Sequence, residues 1–197
     1  MTTLPFTKVD SFAFWRIPAD ADQAADNQAR EALFKTHYVP DDFPTDQLPA
    51  DLTAYLAQMS YVLVGMNPGN GLADQPDQSF TNFHGARKSQ DYKLAAALYG
   101  TALWGAFMTD LSETVDSNPQ HVAFNQQVVA DLESHLDALG IPADATLIAV
   151  GQGAHYQNLV KFAHRPVKTI PHYSPSNNGH WTADNSRQKV LAAINQH

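Results

Sequence analysis

The chain reads as an α/β protein, a three-layer α/β/α sandwich around a central, mostly parallel, four-stranded sheet. Three observations predict this class. Short apolar runs recur along the chain and stop at glycine or aspartate. Stretches with helical periodicity separate them, which implies a parallel sheet covered on both faces. The length of 197 residues and the 44% apolar content suffice for one core and are too small for two typical domains.

Each element follows from its local pattern. Residues 20–38 place Ala24, Ala25, Ala29, Ala32, Leu33 and Phe34 on a partly apolar helical face. Residues 39–48, punctuated by Pro40 and Pro44, read as a loop, and residues 52–59 as a short helix. Tyr61–Gly65 is a continuous apolar run ended by glycine, the pattern of a buried parallel strand. A helix over 93–103 leads to a second strand over 106–109, ending at Asp110. Residues 122–139 carry Val122, Val128, Val129, Leu132, Leu136 and Leu139, which predicts a long amphipathic helix closed by Gly140. Thr146–Val150 is the clearest strand; a helix over 154–163, a strand over Val167–Ile170 and a helix over 187–194 complete the order. One domain over 1–197 is expected, with residues 1–60 an extension packed on it. Ligands of parallel sheets bind at the carboxyl ends of the strands. That edge would carry the loops 67–70, 110–113 and 172–178.

Composition narrows the function classes. Cysteine is absent, so disulfides and thiolate metal sites are excluded, in keeping with a reducing cytoplasm. The opening MTTLPFTKVD has no basic region followed by an apolar run, and no stretch nears the roughly 20 apolar residues that cross a bilayer. A cytoplasmic monomer without membrane contact is expected. The formal net charge of −8 disfavours phosphate binding by the surface as a whole. The charge is uneven, however. Residues 20–51 hold eight acids against Arg30 and Lys35, whereas residues 152–197 hold Lys161, Arg165, Lys168, Arg187 and Lys189 against Asp184 alone. A local basic face can hold phosphate in an acidic protein, because screening limits charge to about 8–10 Å. Ordinary surface charge is the alternative.

Several motifs fall away. Gly151-Gln-Gly153-Ala-His-Tyr156 follows a strand and opens a helix like a dinucleotide fingerprint, but Tyr156 replaces the third glycine and no ribose-binding acid follows. Close helix–strand packing explains these glycines better. The nine histidines form no compact ligand spacing, so no metal and no cofactor are expected. Neither a nucleophile elbow nor a P-loop lysine is present.

Two loops carry a different signal. Gly65-Met-Asn-Pro-Gly69 ends a strand, and His172-Tyr-Ser-Pro175 follows the last one. Together they resemble the two signature motifs of the uracil-DNA glycosylase superfamily, the first being most similar to its mismatch-specific and single-strand-selective branches. Ala106-Phe-Met-Thr-Asp110 stands where the family has a strand ending in a base-reading Asn. Residues 146–159 resemble its strand–Gly–helix segment. The likeness runs from Tyr61 to the C-terminus and leaves the first 60 residues unmatched. One such motif is weak, since an NPG turn is common; four in order are fairly specific.

The resemblance implies a uracil-DNA glycosylase-like fold and a DNA repair activity, hydrolysis of the N-glycosidic bond of a damaged or mismatched base. Cleavage builds positive charge on the sugar and negative charge on the base. Asn67 would orient the attacking water through its carboxamide, and a neutral His172 would donate to the base carbonyl. Gly65, Met66 and Asp110 would border the base, and Phe80 or Phe83 would stack on it, Phe83 being favoured. Gly69, Asn70, Ser174, Ser176, Asn177, Asn178, His180 and Trp181 would contact the DNA, Trp181 as a stacking or wedging ring or else as a buried anchor.

Two departures bear on specificity. An amide both donates and accepts, as the O4/N3–H edge of uracil requires, whereas an ionised Asp110 only accepts. Asp110 can alternatively cap the turn that follows. The loop after His172 has Tyr173 where the family has Pro, and it lacks the apolar wedge, so single-stranded or damaged DNA is the expected partner. A non-catalytic member that binds a nucleobase, nucleotide or single strand is the competing expectation.

Overall fold

The computed structural model describes residues 4–70, 79–118, 121–175 and 180–195. Its elements are β1 (Ser11–Phe12), α1 (Asn27–Thr36), α2 (Leu52–Leu56), β2 (Tyr61–Gly65), α3 (Tyr92–Leu98), β3 (Phe107–Asp110), α4 (Gln126–Ala138), β4 (Thr146–Val150), α5 (Ala154–Phe162), β5 (Val167–Ile170) and α6 (Ala183–Asn195). The sheet has five strands in the order β1-β3-β2-β4-β5. Four are parallel; β1 runs antiparallel to β3 with Ser11 opposite Met108.

The expected count of four strands is therefore corrected to five. The added strand is two residues long, too short to show an alternating pattern in the sequence. Its pairing is extended by Ala13 N–H donating to Ala106 O (2.8 Å) and Gly105 N–H donating to Ala13 O (3.0 Å). The N-terminal residues thus form one edge of the sheet, and Phe12, Ala13 and Trp15 are buried in the core.

Alternate residues of the central strands feed two cores, as the period of two requires. Val62, Val64, Phe107, Leu147 and Ala149 pack with Val129, Leu132 and Leu136 of α4 and Leu159 of α5. Leu63, Met108, Ile148 and Val150 pack with Phe34 of α1, residues 94–98 of α3, and Val190 and Ala193 of α6. Helices therefore cover both faces. Capping sets several helix starts. Asp26 accepts from Ala29 N–H (2.7 Å), so the helix expected from residue 20 begins at Asn27. Asn125 accepts from Val128 N–H (3.2 Å), so the one expected from 122 begins at Gln126. Gly140, at φ 78°, ends α4 in the left-handed conformation.

The basic C-terminal stretch is not a free face. Arg165 is buried and donates to Asp137 (2.6 Å) and Ile141 O (3.2 Å). Lys168 donates to Ala193 O (2.7 Å), and Arg187 donates to Ala97 O and Tyr99 O at the end of α3. Three of the five cations thus serve carbonyls and an acid within the fold. Among the described residues, no helix is long and apolar enough to cross a membrane.

Candidate functional site

The chain passes from β2 to β3 on one side and from β4 to β5 on the other, so adjacent β2 and β4 mark a switch point where their outgoing loops diverge. At that carboxyl edge lies a cavity of about 580 Å³, within the size range of small-molecule sites. It is lined by Gly65, Met66, Asn67, Pro68 and Gly69 after β2, Asp110 at the end of β3, Val150 at the end of β4, and His172–Pro175 after β5. Asn82, Phe83, Gly85 and Lys88 close a further side, and Asp41, Asp116 and Ser117 complete the rim.

Asn67 is held from one end. Its Nδ2 donates to the carbonyls of Pro68 (3.0 Å), Thr114 (3.0 Å) and Asp116 (2.7 Å). Asp116 N–H returns a bond to Pro68 O (3.1 Å), so the Asn-Pro-Gly turn is pinned to the segment after β3. The nitrogen of the carboxamide is thereby committed to the scaffold. Its Oδ1 is the atom that can accept from a water or a ligand.

His172 has a defined tautomer. Ser174 N–H donates to its Nδ1 (3.0 Å), so Nε2 carries the ring proton. Burial lowers its pKa to about 4, which keeps the ring neutral at pH 7. The ring stacks on Tyr173, with centroids 4.8 Å apart and planes 17° apart. A neutral imidazole with its N–H on Nε2 is a hydrogen-bond donor to a carbonyl or a developing anion.

The floor is built around Gly65, which pairs in register with Asp110. A Cβ there would lie 2.2 Å from Asp110 Oδ1 and 2.8 Å from Phe83 Cε1. Glycine is therefore required for the carboxyl and the ring to close over this strand end. Asp110 is buried, and that burial raises its pKa to about 7; the charge of Asp10 pushes in the same direction, while the bond from Asn82 opposes both. Asn82 Nδ2 donates to Asp110 Oδ2 (2.9 Å) and to Val9 O (2.7 Å).

Phe80 and Phe83 both adopt left-handed φ (67° and 69°), a conformation that costs roughly 1–3 kcal/mol in a bulky residue. They then part. Phe83 lines the cavity beside Gly65. Phe80, half-buried, packs against Phe6 and against the core rings of Phe12 and Phe43, with ring centroids 5.0–5.5 Å apart. The expected stacking role is thus corrected for Phe80 and lies open to Phe83 alone of the two.

The outer positions divide similarly. Met66 and Gly69 line the cavity, and Ser174 both lines it and orients His172. Asn70 is tied to Ser117 by reciprocal bonds of 3.0 and 3.1 Å and is exposed beside the rim. Of the two expectations for Trp181, the structure has the buried anchor and not the DNA-facing ring: it is 6% exposed, and its Nε1 donates to Glu31 (2.9 Å). His180 is exposed next to it and does not line the cavity. Ser176, Asn177 and Asn178 lie outside the described residues.

Sequence reasoning missed Asn82. It lies 28 residues before Asp110 with no motif of its own, and its place between Phe80 and Phe83 was the only available signal. Among the described residues, no group of three or more His, Asp or Glu stands ready to hold a metal ion. No protein-family model matches the chain, and neither does any curated protein or solved structure.

Proposed function

We propose that the protein is a DNA glycosylase of the uracil-DNA glycosylase kind, hydrolysing the N-glycosidic bond of a damaged or deaminated base in DNA. On this reading the helices on both faces form the three-layer sandwich of that superfamily. The observation that carries the proposal is the convergence of Asn67, His172, Phe83 and Asp110 on one cavity, although they span more than a hundred residues of chain. A base extruded into it would stack on Phe83. Asn67 Oδ1 would accept a hydrogen bond from a water and aim it at the sugar carbon. His172 Nε2–H would stabilise the negative charge that builds on the leaving base, without the imidazole ever needing to be charged. Asn67 activates water weakly because it is uncharged, so orientation supplies most of the acceleration.

Single-stranded DNA is the better substrate on physical grounds. Tyr173 and Trp181, the large rings described after β5, are both buried, so among the described residues the cost of unstacking a duplex base (a few kcal/mol) has no matched wedge. Lys88 is the cation on the described rim, against Asp41 and Asp116.

The test is release of base from oligonucleotides carrying uracil, hypoxanthine or xanthine, read as alkali-labile sites. Asn67→Ala and His172→Ala should each lower the rate by about 10²-fold or more. Cleavage by both variants at the unsubstituted rate overturns the assignment. The acidic rim favours a second reading, a non-catalytic binder of a base or single strand, which predicts saturable binding with no abasic product.

A further inference from the structure

We propose that Asn82 and Asp110 act together as the specificity determinant of this cavity, Asn82 fixing the Asp110 carboxyl so that Oδ1, carrying a proton, reads a base by its exocyclic oxygen. The inference rests on the cavity being a nucleobase site, and it adds the means by which that site tells a deaminated, oxo-bearing base from its amino-bearing parent.

The geometry assigns different tasks to the two oxygens of the carboxyl. Oδ2 is occupied by Asn82 Nδ2 at 2.9 Å, and the same nitrogen is anchored to Val9 O at 2.7 Å, so the amide cannot turn away. Oδ1 lies over Gly65, next to the Phe83 ring that would stack on the base. One oxygen of a buried carboxyl is thus presented to the cavity in a fixed orientation. Whether it donates or accepts depends on one proton.

That proton matters because deamination replaces an amino group with an oxygen. Uracil differs from cytosine in this way, and hypoxanthine from adenine. A donor at Oδ1 pairs with the new oxygen and opposes the amino group of the undamaged base; an ionised Oδ1 has the reverse preference. The surroundings favour the proton. Burial holds the Asp110 pKa near 7, and a base bound beside it would remove more water from it. Asp10, itself fully buried, adds repulsion from the β1 side.

Among the described residues, the charged and titratable neighbours are few. Asp10 accepts from Thr109 Oγ1 (2.8 Å) and pairs with His135 of α4 (2.9 Å), whose pKa it raises. From the β5 loop come His172, neutral above about pH 4, and Tyr173, whose phenol is pushed well above its ordinary value. Asp41, Asp116 and Lys88 stand on the rim.

Uracil, cytosine, hypoxanthine and adenine are the probes, their equilibrium binding to the full chain being measured from pH 6 to pH 8. Uracil and hypoxanthine should bind in preference at pH 6 and lose about tenfold in affinity by pH 8, as deprotonation through a pKa near 7 requires. Asp110→Asn can accept from Asn82 and keep an amide N–H toward the cavity, so its oxo-base preference should persist with a flat pH profile. Asn82→Ala removes the bond that favours the ionised carboxylate, so the pH midpoint should rise, which loss of packing alone would not cause. Should Asn82→Ala fold poorly, a carboxyl-carbon NMR titration of Asp110 in the unsubstituted chain supplies the midpoint directly. A flat profile in that chain, or an unmoved midpoint in Asn82→Ala, overturns the inference while leaving the glycosidase reading intact. Base binding with the predicted profile but no cleavage of DNA supports the inference and sinks the glycosidase. Failure of every base to bind at pH 6 overturns the inference together with the reading of the cavity.

Discussion

Asp91 and Asp110 are both buried carboxyls, and both have pKa values raised by that burial, to about 6 and about 7. Their partners differ. Asp91, beside the start of α3, accepts from Trp15 Nε1 (3.1 Å), the Tyr38 hydroxyl (2.7 Å) and the Ser89 hydroxyl, donors from three separate segments. Among the described residues, Asp110 receives one side-chain bond, from Asn82, and its other oxygen lies over Gly65 at the cavity floor. A buried acid surrounded by donors is a structural clamp. One that is half-satisfied at a strand end is a site seeking a ligand.

Removing the clamp should therefore produce the largest effect. Asp91→Ala leaves the donors of Trp15, Tyr38 and Ser89 with no common acceptor, and about 3–5 kcal/mol of stability should be lost in denaturant unfolding. A loss below 1 kcal/mol would erase the contrast with Asp110. Gly65→Ala comes next, because its Cβ meets both Asp110 Oδ1 and Phe83. Relieving that overlap should cost about 1–3 kcal/mol and abolish base binding, since reader and stacking ring both move. Retained binding would mean that neither group forms the floor.

The two acids also differ from the buried histidines in how pH acts on them. A carboxyl with a raised folded pKa binds more protons folded than unfolded between about pH 4 and 7, so its contribution to stability falls as pH rises through that window. His84, His155 and His172 have pKa values lowered to about 3, 4 and 4, and their contribution is lost as pH falls below about 6.5. Asp110→Asn, which cannot ionise, should gain stability over the unsubstituted chain as pH rises from 5 to 8, by about 1–3 kcal/mol. A pH-independent difference between the two chains would show that Asp110 titrates near its ordinary value. For catalysis the same values predict a plateau between an acid limb near pH 4, where His172 gains a charge, and a decline near pH 7, where Asp110 loses its proton.

Continuous apolar runs made β2 and β4 legible in the sequence to the residue, because strands buried on both faces need no alternation, and the bounds of β5 were legible too, although it is a mixed, largely half-buried edge strand. The Asn-Pro-Gly and His-Tyr-Ser-Pro loops were legible because they follow those strands directly. Other features depended on distant pairing. β1 exists only because Ser11 and Phe12 meet Met108 and Phe107. Asn82 becomes a site residue only through Asp110, and the C-terminal cations became structural only through carbonyls up to 90 residues away. Local pattern predicts elements; partners that meet across the sheet decide which polar residues are spent on the fold.

Trp181 supplies the smallest and most discriminating case of that division. Position in the sequence, just after the His172 loop, leaves it open between a DNA-facing ring and a buried anchor; its ring is buried among α1, α3 and α6 and its indole N–H is bound to Glu31. Trp181→Phe keeps most of the apolar area and removes the one hydrogen bond, so about 1 kcal/mol of stability should be lost. Glu31, on α1 near the surface, can turn to water, which keeps the cost at that level. Phe83→Leu is the counterpart, a ring in the cavity whose loss should weaken base binding about tenfold or more. If Trp181→Phe instead weakens binding of single-stranded DNA as much as Phe83→Leu does, Trp181 belongs to the DNA surface and the boundary between clamp and site must be redrawn around it.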